Sequence, residues 1–354
     1  PLFDAAEMIQ AASAAADYIN AELDGIAGRP IELVTCETVN TPESVLGCAA
    51  EILAAEPLLV IPGPDFASPA ALETYTTAGI PLIGGAAFAP NEFVAENRIL
   101  FQGWSASLFP AMTHFAAGEL GAENIVAVSF DDPQNQIILA AFMEPVMASR
   151  GLPSLEFVGT PASAPDFAAP LAVAVNADAD AILAFGLPCE PIMQAYAGLG
   201  SDIPIVLPDN CTDPDVLAAV GDAAEGVYFV IQYDSPTLSP DDPETMLYTD
   251  VLAQYGEGDI RESSIGLSGF ASVMNIHDVL DDSDIASLEA ADVLAAFRSL
   301  EAGPNFLIDG DFNCATPPLE QFPSLCEVSA LLAQYVDGEL VPVTGWVGGA
   351  ELWG

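Results

Sequence analysis

The sequence predicts an α/β protein in which parallel sheets are covered by helices and the chain is shared between two lobes. Apolar runs of strand length alternate with helical segments along the whole chain, the pattern of βα units. The 354 residues suffice for two cores, and both halves have the same α/β style. With 52% apolar residues the chain is too hydrophobic to remain disordered.

The elements follow in order. Residues 5–22 form an alanine-rich helix, and strand 31–35 follows Gly28-Arg29-Pro30. Helix 42–54 has Thr41 to cap it and Pro42 at its first position, where a missing N–H costs nothing. Strand 57–62, helix 67–78, strand 80–84 and strand 98–102 complete the first block. Helix 107–120, strand 124–130 and helix 134–149 open the second, followed by strand 154–159, helix 165–176, strand 180–185, helix 189–199, strand 203–207, helix 213–220 and strand 226–232. Helices 243–255, 265–281 and 288–300 come next. The chain closes on strands 327–336 and 339–344, turned by Asp337-Gly338. Proline and glycine punctuate the βα turns rather than forming linkers, and there is no short repeat.

The charge is extreme. Fifty-two acidic residues face five arginines (Arg29, Arg98, Arg150, Arg261, Arg298) and no lysine, for a formal net charge of −47. That field repels nucleic acid and anionic membrane surfaces and favours neutral or cationic partners. Solvation in a salty medium accounts for the acidity without any binding role.

Six cysteines fall as three local pairs, Cys36/Cys48, Cys189/Cys211 and Cys314/Cys326. Of the 15 possible connectivities, nearest-neighbour pairing is the economical one, and three disulfides imply an oxidising compartment. No pair is CxxC and neither histidine lies near a cysteine, so no metal site is expected. His114 and His277 lack a nucleophile or carboxylate at a suggestive spacing, apart from the adjacent Asp278, and both read as structural. Paired carboxylates such as Asp131-Asp132 and Asp281-Asp282 are unsurprising in so acidic a chain. No GxSxG, HExxH, P-loop or GxGxxG motif occurs. The chain reads as a non-enzyme without a cofactor, and no apolar run is long enough to span a membrane.

Short segments in a fixed order carry a resemblance over nearly the whole chain. They are Asp17–Glu37, Gly63-Pro64, Ala78–Ile83, Asp131-Asp132, Asp178–Ile182, Gly221–Tyr228 and Asp337–Val343. This series resembles the type I periplasmic solute-binding proteins of ABC transporters, in the branch of branched-chain amino-acid and amide receptors. The resemblance implies two doubly wound parallel-sheet lobes joined by three crossovers. The N-terminal lobe would be residues 1–106 plus 232–326 and the C-terminal lobe residues 107–231 plus 327–354. It also implies a first strand and a ligand-contacting loop ahead of the opening helix, so that strand and a secretion signal are expected upstream of Pro1.

The function so implied is an extracytoplasmic receptor, periplasmic or a cell-surface lipoprotein. It would deliver an amino-acid-, amide- or amine-like solute to an ABC permease by hinge closure. It is expected to be a monomer that binds a small molecule in the cleft between its lobes. A ligand-sensing ectodomain or an extracellular structural protein of the same fold is the alternative.

In open α/β sheets ligands bind beyond the carboxyl ends of the strands, here loops 63–69, 84–91, 102–107, 131–136, 186–190 and 208–212. In the family's amino-acid receptors two hydroxyls and nearby backbone N–H groups hold the ligand carboxylate, and an acidic residue of the second lobe holds the ammonium. The first hydroxyl position falls on Ala67, beside Ser68, and the second on Phe88, in Ala86-Ala87-Phe88. The acidic position falls on Asp209, beside Asn210, and two aromatic positions fall on Gln134 and Leu187. The cation-holding end is kept while the carboxylate-holding end has lost its hydroxyls, which implies a ligand other than a standard α-amino acid. Trp104, flanked by Phe66 and Phe88, would wall the site or else pack in the core. Asp131, with Asn135 near it, would contact ligand, or Asp131 and Asp132 would cap the next helix. Asp209 would contact ligand or cap the helix at 213, where Thr212 or Asp213 is better placed. Glu225 reads as structural.

Overall fold

The computed structural model describes residues 6–164, 166–257, 264–281 and 289–354. Positions 5, 165 and 288, at the starts of three expected helices, lie outside these residues, as do Arg261 and Asp282. The chain divides into two compact units. One comprises residues 6–104 and Tyr233–Val328, the other Ser105–Gln232 and Ser329–Gly354.

In the first unit the strands are very short. β1 (Leu82–Ile83) and β2 (Arg98–Ile99) pair in parallel. Isolated parallel bridges from Val60 to Leu82 and from Leu100 to Leu325 extend the row on both sides. The expected strand 57–62 is thus a single bridge, and the expected strand 31–35 is not a strand. A strand exists only as a ladder, and among the described residues nothing pairs with this segment beyond one clamp. The Asn20 side chain donates to the Ile31 carbonyl at 2.9 Å and accepts the Ile31 N–H at 2.7 Å. Leu33 and Val34 remain 37% and 47% exposed, which agrees with the absence of a neighbour.

Side-chain packing holds this unit. Helices Pro42–Ala54 and Leu72–Ala78 cover one face of the strands through Val45, Ala49, Ile52, Tyr75 and Leu82. Thr41 caps the first, accepting the Ser44 N–H. On the other face Phe101 stacks within 4.9 Å of Phe312 and 5.5 Å of Phe297, beside Ile83 and Ile276. Helix Ser264–Asp281 is buried along nearly its whole length and packs against helix Ala6–Glu22. A Cβ at Gly269 would lie 2.4 Å from the Met8 carbonyl oxygen, so glycine sets how closely these helices approach. The expected helix 67–78 opens as a 3-10 turn over Ser68–Ala71, with Pro69 in its first turn, before helix Leu72–Ala78.

The second unit is built on one continuous sheet. Its strands are β3 (Ile125–Phe130), β4 (Glu156–Thr160), β5 (Ala181–Ala184), β6 (Ile205–Pro208), β7 (Tyr228–Ile231), β8 (Ser329–Val336), β9 (Glu339–Pro342) and β10 (Val347–Gly348). The order is β10-β8-β7-β6-β5-β3-β4, with β9 also on β8. β3 to β7 are mutually parallel, and β8 is antiparallel to its neighbours β7, β9 and β10. β3, β5 and β6 are apolar and buried at nearly every position, as strands covered on both faces must be.

Two prolines shape the helices here. The expected helix 134–149 contains a π-helical stretch, Leu139–Met143, just ahead of Pro145, whose missing N–H interrupts regular α bonding. Helix Ser105–Gly118 carries Pro110, which cannot donate to the Ala106 carbonyl one turn back. The Trp353 indole N–H donates to that carbonyl at 3.0 Å and so docks the terminal helix Ala350–Trp353.

Disulfides join Cys36 to Cys48, Cys189 to Cys211 and Cys314 to Cys326. The first and third lie in the first unit and the second in the other.

Candidate functional site

At the carboxyl ends of the first unit's strands, three loops follow Val60, β1 and β2. They bring Phe66, Phe88 and Trp104 into one aromatic row. Ring centroids are 4.6 Å apart for Phe66–Phe88 and 5.7 Å for Phe88–Trp104, the latter edge-to-face. Trp104 has a φ of +45°, a left-handed conformation that a bulky residue adopts only where its surroundings impose it. Its indole N–H is enclosed and meets no acceptor among the described residues. Phe88 and Trp104 are buried, and Phe66, Ala67 and Ser68 are half-buried.

Beneath the row lies a polar layer that the sequence reading did not single out. Glu92, 2% exposed, accepts the Ser68 hydroxyl at 2.7 Å through Oε1, and the Phe88 and Ala89 N–H groups at 2.8 and 2.9 Å through Oε2. Arg98, 1% exposed, donates from Nη2 to the Ala86 carbonyl at 2.7 Å. Burial pulls its guanidinium down to about 10 while the Glu92 charge opposes the fall. Asp65 accepts the Ala67 N–H at 2.7 Å and also takes the Thr38 hydroxyl. Gly85 (φ +65°) turns the loop above: a Cβ there would lie 2.1 Å from the Pro62 carbonyl oxygen. Its N–H donates to Ser272 Oγ at 3.0 Å. The available signal was Arg98 itself, one of five cations in a strongly acidic chain, set where a buried strand begins.

In the second unit the order β4-β3-β5 places a topological switch between β3 and β5, where a doubly wound sheet opens a crevice between successive loops. Asp132 caps helix Pro133–Ile138 by accepting the Asn135 N–H at 2.9 Å. The buried Asn135 amide donates to the Phe130 carbonyl at 3.1 Å and to Asp132 at 2.8 Å. Asp131 is exposed and Leu187 buried; the Gln134 side-chain NH2 is enclosed with no acceptor among the described residues. Asp209, 6% exposed, directly follows β6 and accepts the Gln232 N–H at 3.2 Å. The cap of helix Pro214–Val220 is Asp213. Asn210 donates to Cys189 Sγ at 3.3 Å, which ties it to the disulfide. A cavity of about 590 Å³ beside Phe130 and Phe167 touches the expected loop 186–190 only at Pro188 and contains none of the side chains singled out for ligand contact.

The two histidines take local roles. The Arg150 guanidinium donates to His114 Nδ1 at 2.7 Å, and burial together with that charge pushes the imidazole below its ordinary value. His277 pairs with Asp278 at 2.7 Å. Among the described residues no His, Cys, Asp and Glu side chains group to hold a metal ion, and no helix is long and apolar enough to cross a membrane.

The profile of the periplasmic binding protein family matches residues 3–319. The chain belongs to that family. Solved structures agree in fold. A branched-chain amino acid ABC transporter protein from Thermus thermophilus with bound valine superposes with a TM-score of 0.81 at 16% identity, covering 98% of this chain and 93% of its own. An R. palustris solute-binding protein in complex with 4-hydroxybenzoate gives 0.76 at 16%, covering 97% and 92%. The LivJ substrate-binding protein of Streptococcus pneumoniae with isoleucine gives 0.72 at 17%, covering 96% and 94%. No curated protein sequence matches the chain. The family is one of binding receptors and not of enzymes, and its fold is the two-lobed α/β architecture expected from the sequence.

Proposed function

We propose that this periplasmic binding protein is an extracytoplasmic receptor that captures a small organic solute and passes it to an ABC permease. The match to the family over residues 3–319 carries the reading. The carboxyl edges of both sheets supply candidate contacts. Phe66, Ala67, Ser68, Ala86, Ala87, Phe88 and Trp104 serve from the first unit, and Asp131, Gln134, Asn135, Leu187, Asp209 and Asn210 from the second. Asp209 offers a carboxylate to a cationic group, and the aromatic row offers an apolar or cation-π wall. Ala67 and Phe88 stand where hydroxyls would hold a carboxylate. The solute is therefore neutral or cationic, an amide, amine or aromatic compound in preference to a leucine-like zwitterion. The chain acts as a monomer and works outside the cytoplasm, where its disulfides persist.

Uptake closes the protein about the points where the chain passes between units, at 104/105, 232/233 and 328/329. Calorimetry against a panel of amides, amines, aromatic compounds and amino acids tests the reading. Micromolar binding of one class is expected, and Asp209→Asn should weaken an amine by about tenfold or more. A chain that binds nothing on the panel, or an Asp209→Asn variant that binds its amine undiminished, contradicts it.

A further inference from the structure

Most of the hydrogen-bond donors in the loops after Val60 and β1 can be followed to acceptors that belong to the protein; the enclosed Arg98 Nε and Nη1 groups and the Trp104 indole N–H meet none among the described residues. In the loop after Val60, the Phe66 N–H goes to Asn40 Oδ1 at 3.0 Å and the Ala67 N–H to Asp65 Oδ1 at 2.7 Å. The Ser68 N–H goes to the Asp65 carbonyl at 3.0 Å, and the Ser68 hydroxyl to Glu92 at 2.7 Å. In the loop after β1, Gly84 and Ala86 donate to the Ile99 and Pro62 carbonyls, both at 2.9 Å, and Gly85 donates to Ser272. Phe88 and Ala89 both donate to Glu92. Glu92 closes a short turn over Pro90–Val94, and in doing so it collects a hydroxyl and two amides around one buried carboxylate.

We propose that Glu92 is a specificity-determining residue that acts as an internal anion, so that the solute group meeting this edge is an uncharged amide or a protonated amine and not a carboxylate. The inference rests on the receptor reading and commits it to a charge class. An incoming carboxylate would find the Ser68 hydroxyl and the Phe88 and Ala89 N–H groups already spent on a carboxylate, while the Arg98 counter-charge lies buried in the layer beneath and is turned to the Ala86 carbonyl. A neutral carbonyl needs only one donor, and the enclosed Trp104 indole N–H beside Phe88 has none of its capacity used among the described residues. A cationic head instead gains from the aromatic faces and from the carboxylate behind them.

Paired probes that differ only in charge test this: benzamide against benzoate, and leucinamide against leucine, by calorimetry on the wild-type chain and on Glu92→Gln. The wild type should bind the amide of the responding pair at least about tenfold more tightly than its acid, and the variant should lose or reverse that preference. The wild-type pairs decide the charge class on their own if the variant does not fold. Tighter binding of the acid by the wild type, or an unchanged ratio in Glu92→Gln, overturns the inference and leaves the receptor reading intact. Failure to bind any solute of the wider panel overturns both.

Discussion

The two units reach order by different means. In the second, five parallel strands share a backbone ladder, and β8 to β10 close one side of the sheet. In the first, the named strands are two residues long, and order comes from packed helices, aromatic contacts, a buried Glu92–Arg98 layer and two of the three disulfides. A backbone ladder tolerates side-chain change. A unit held by side chains does not, so its substitutions should cost more. The same contrast appears at the candidate binding edges. The second unit presents polar groups tied into local caps, whereas the first presents aromatic rings over a charge already in place.

The largest effect should therefore come from the buried cation. Arg98→Ala leaves Glu92 without its counter-charge and empties a large site, and we expect about 3–5 kcal/mol of destabilisation by urea titration. A change below about 1 kcal/mol would show that the charged layer is dispensable. Next come the disulfides, each worth roughly 2–4 kcal/mol. Removing Cys36–Cys48 or Cys314–Cys326 should loosen the first unit and leave hydrogen-exchange protection of β3, β5 and β6 unchanged. Non-reducing peptide mapping must first recover the three local pairs, and any long-range pair defeats the scheme. Within the second unit, Trp353→Phe deletes the donor to the Ala106 carbonyl and should cost about 1 kcal/mol, localised to helices Ser105–Gly118 and Ala350–Trp353.

Acidification should separate the units in sign. His114 in the second unit is held below its ordinary value by burial and by Arg150. The unfolded chain then takes up the proton first as pH falls below about 6.5, and the unit loses stability through that window. Asp234 and Glu244 in the first unit are raised, chiefly by burial. There the folded state takes up the proton first, so stability increases as pH falls through their folded-state values. Unit-resolved hydrogen exchange with urea, at neutral and mildly acidic pH, reads both. Parallel movement of the two units would contradict the assignment, and His114→Asn should flatten the response of the second unit alone.

Much of this architecture was legible in the sequence. The βα alternation announced the parallel strands, because strands buried on both faces carry unbroken apolar runs, as in Ile125–Val128 and Ala181–Ala184. Thr41 announced one helix start through its cap, and the pair Thr212 and Asp213 announced another, where Asp213 is the cap. What failed was what depends on partners. Residues 31–35 have a strand composition, but pairing is a property of the neighbour and not of the segment. The π-helical stretch and the Trp353 contact arise from single prolines whose consequences appear one turn away. At the candidate binding edge, Phe66, Phe88 and Trp104 could be named from their loops, whereas Glu92 could not. It sits in a Pro-Asn-Glu turn that reads as surface, and only the fold shows that Glu92 itself is turned inward and that its carboxylate faces Ser68.

The central claim is that a small solute is captured by closure of a two-lobed receptor. Small-angle X-ray scattering of the chain, titrated with the tightest-binding amide or amine from the calorimetric panel, tests it most directly. The account predicts a saturable fall in the radius of gyration at the calorimetric stoichiometry. An unchanged profile at saturating solute would contradict it.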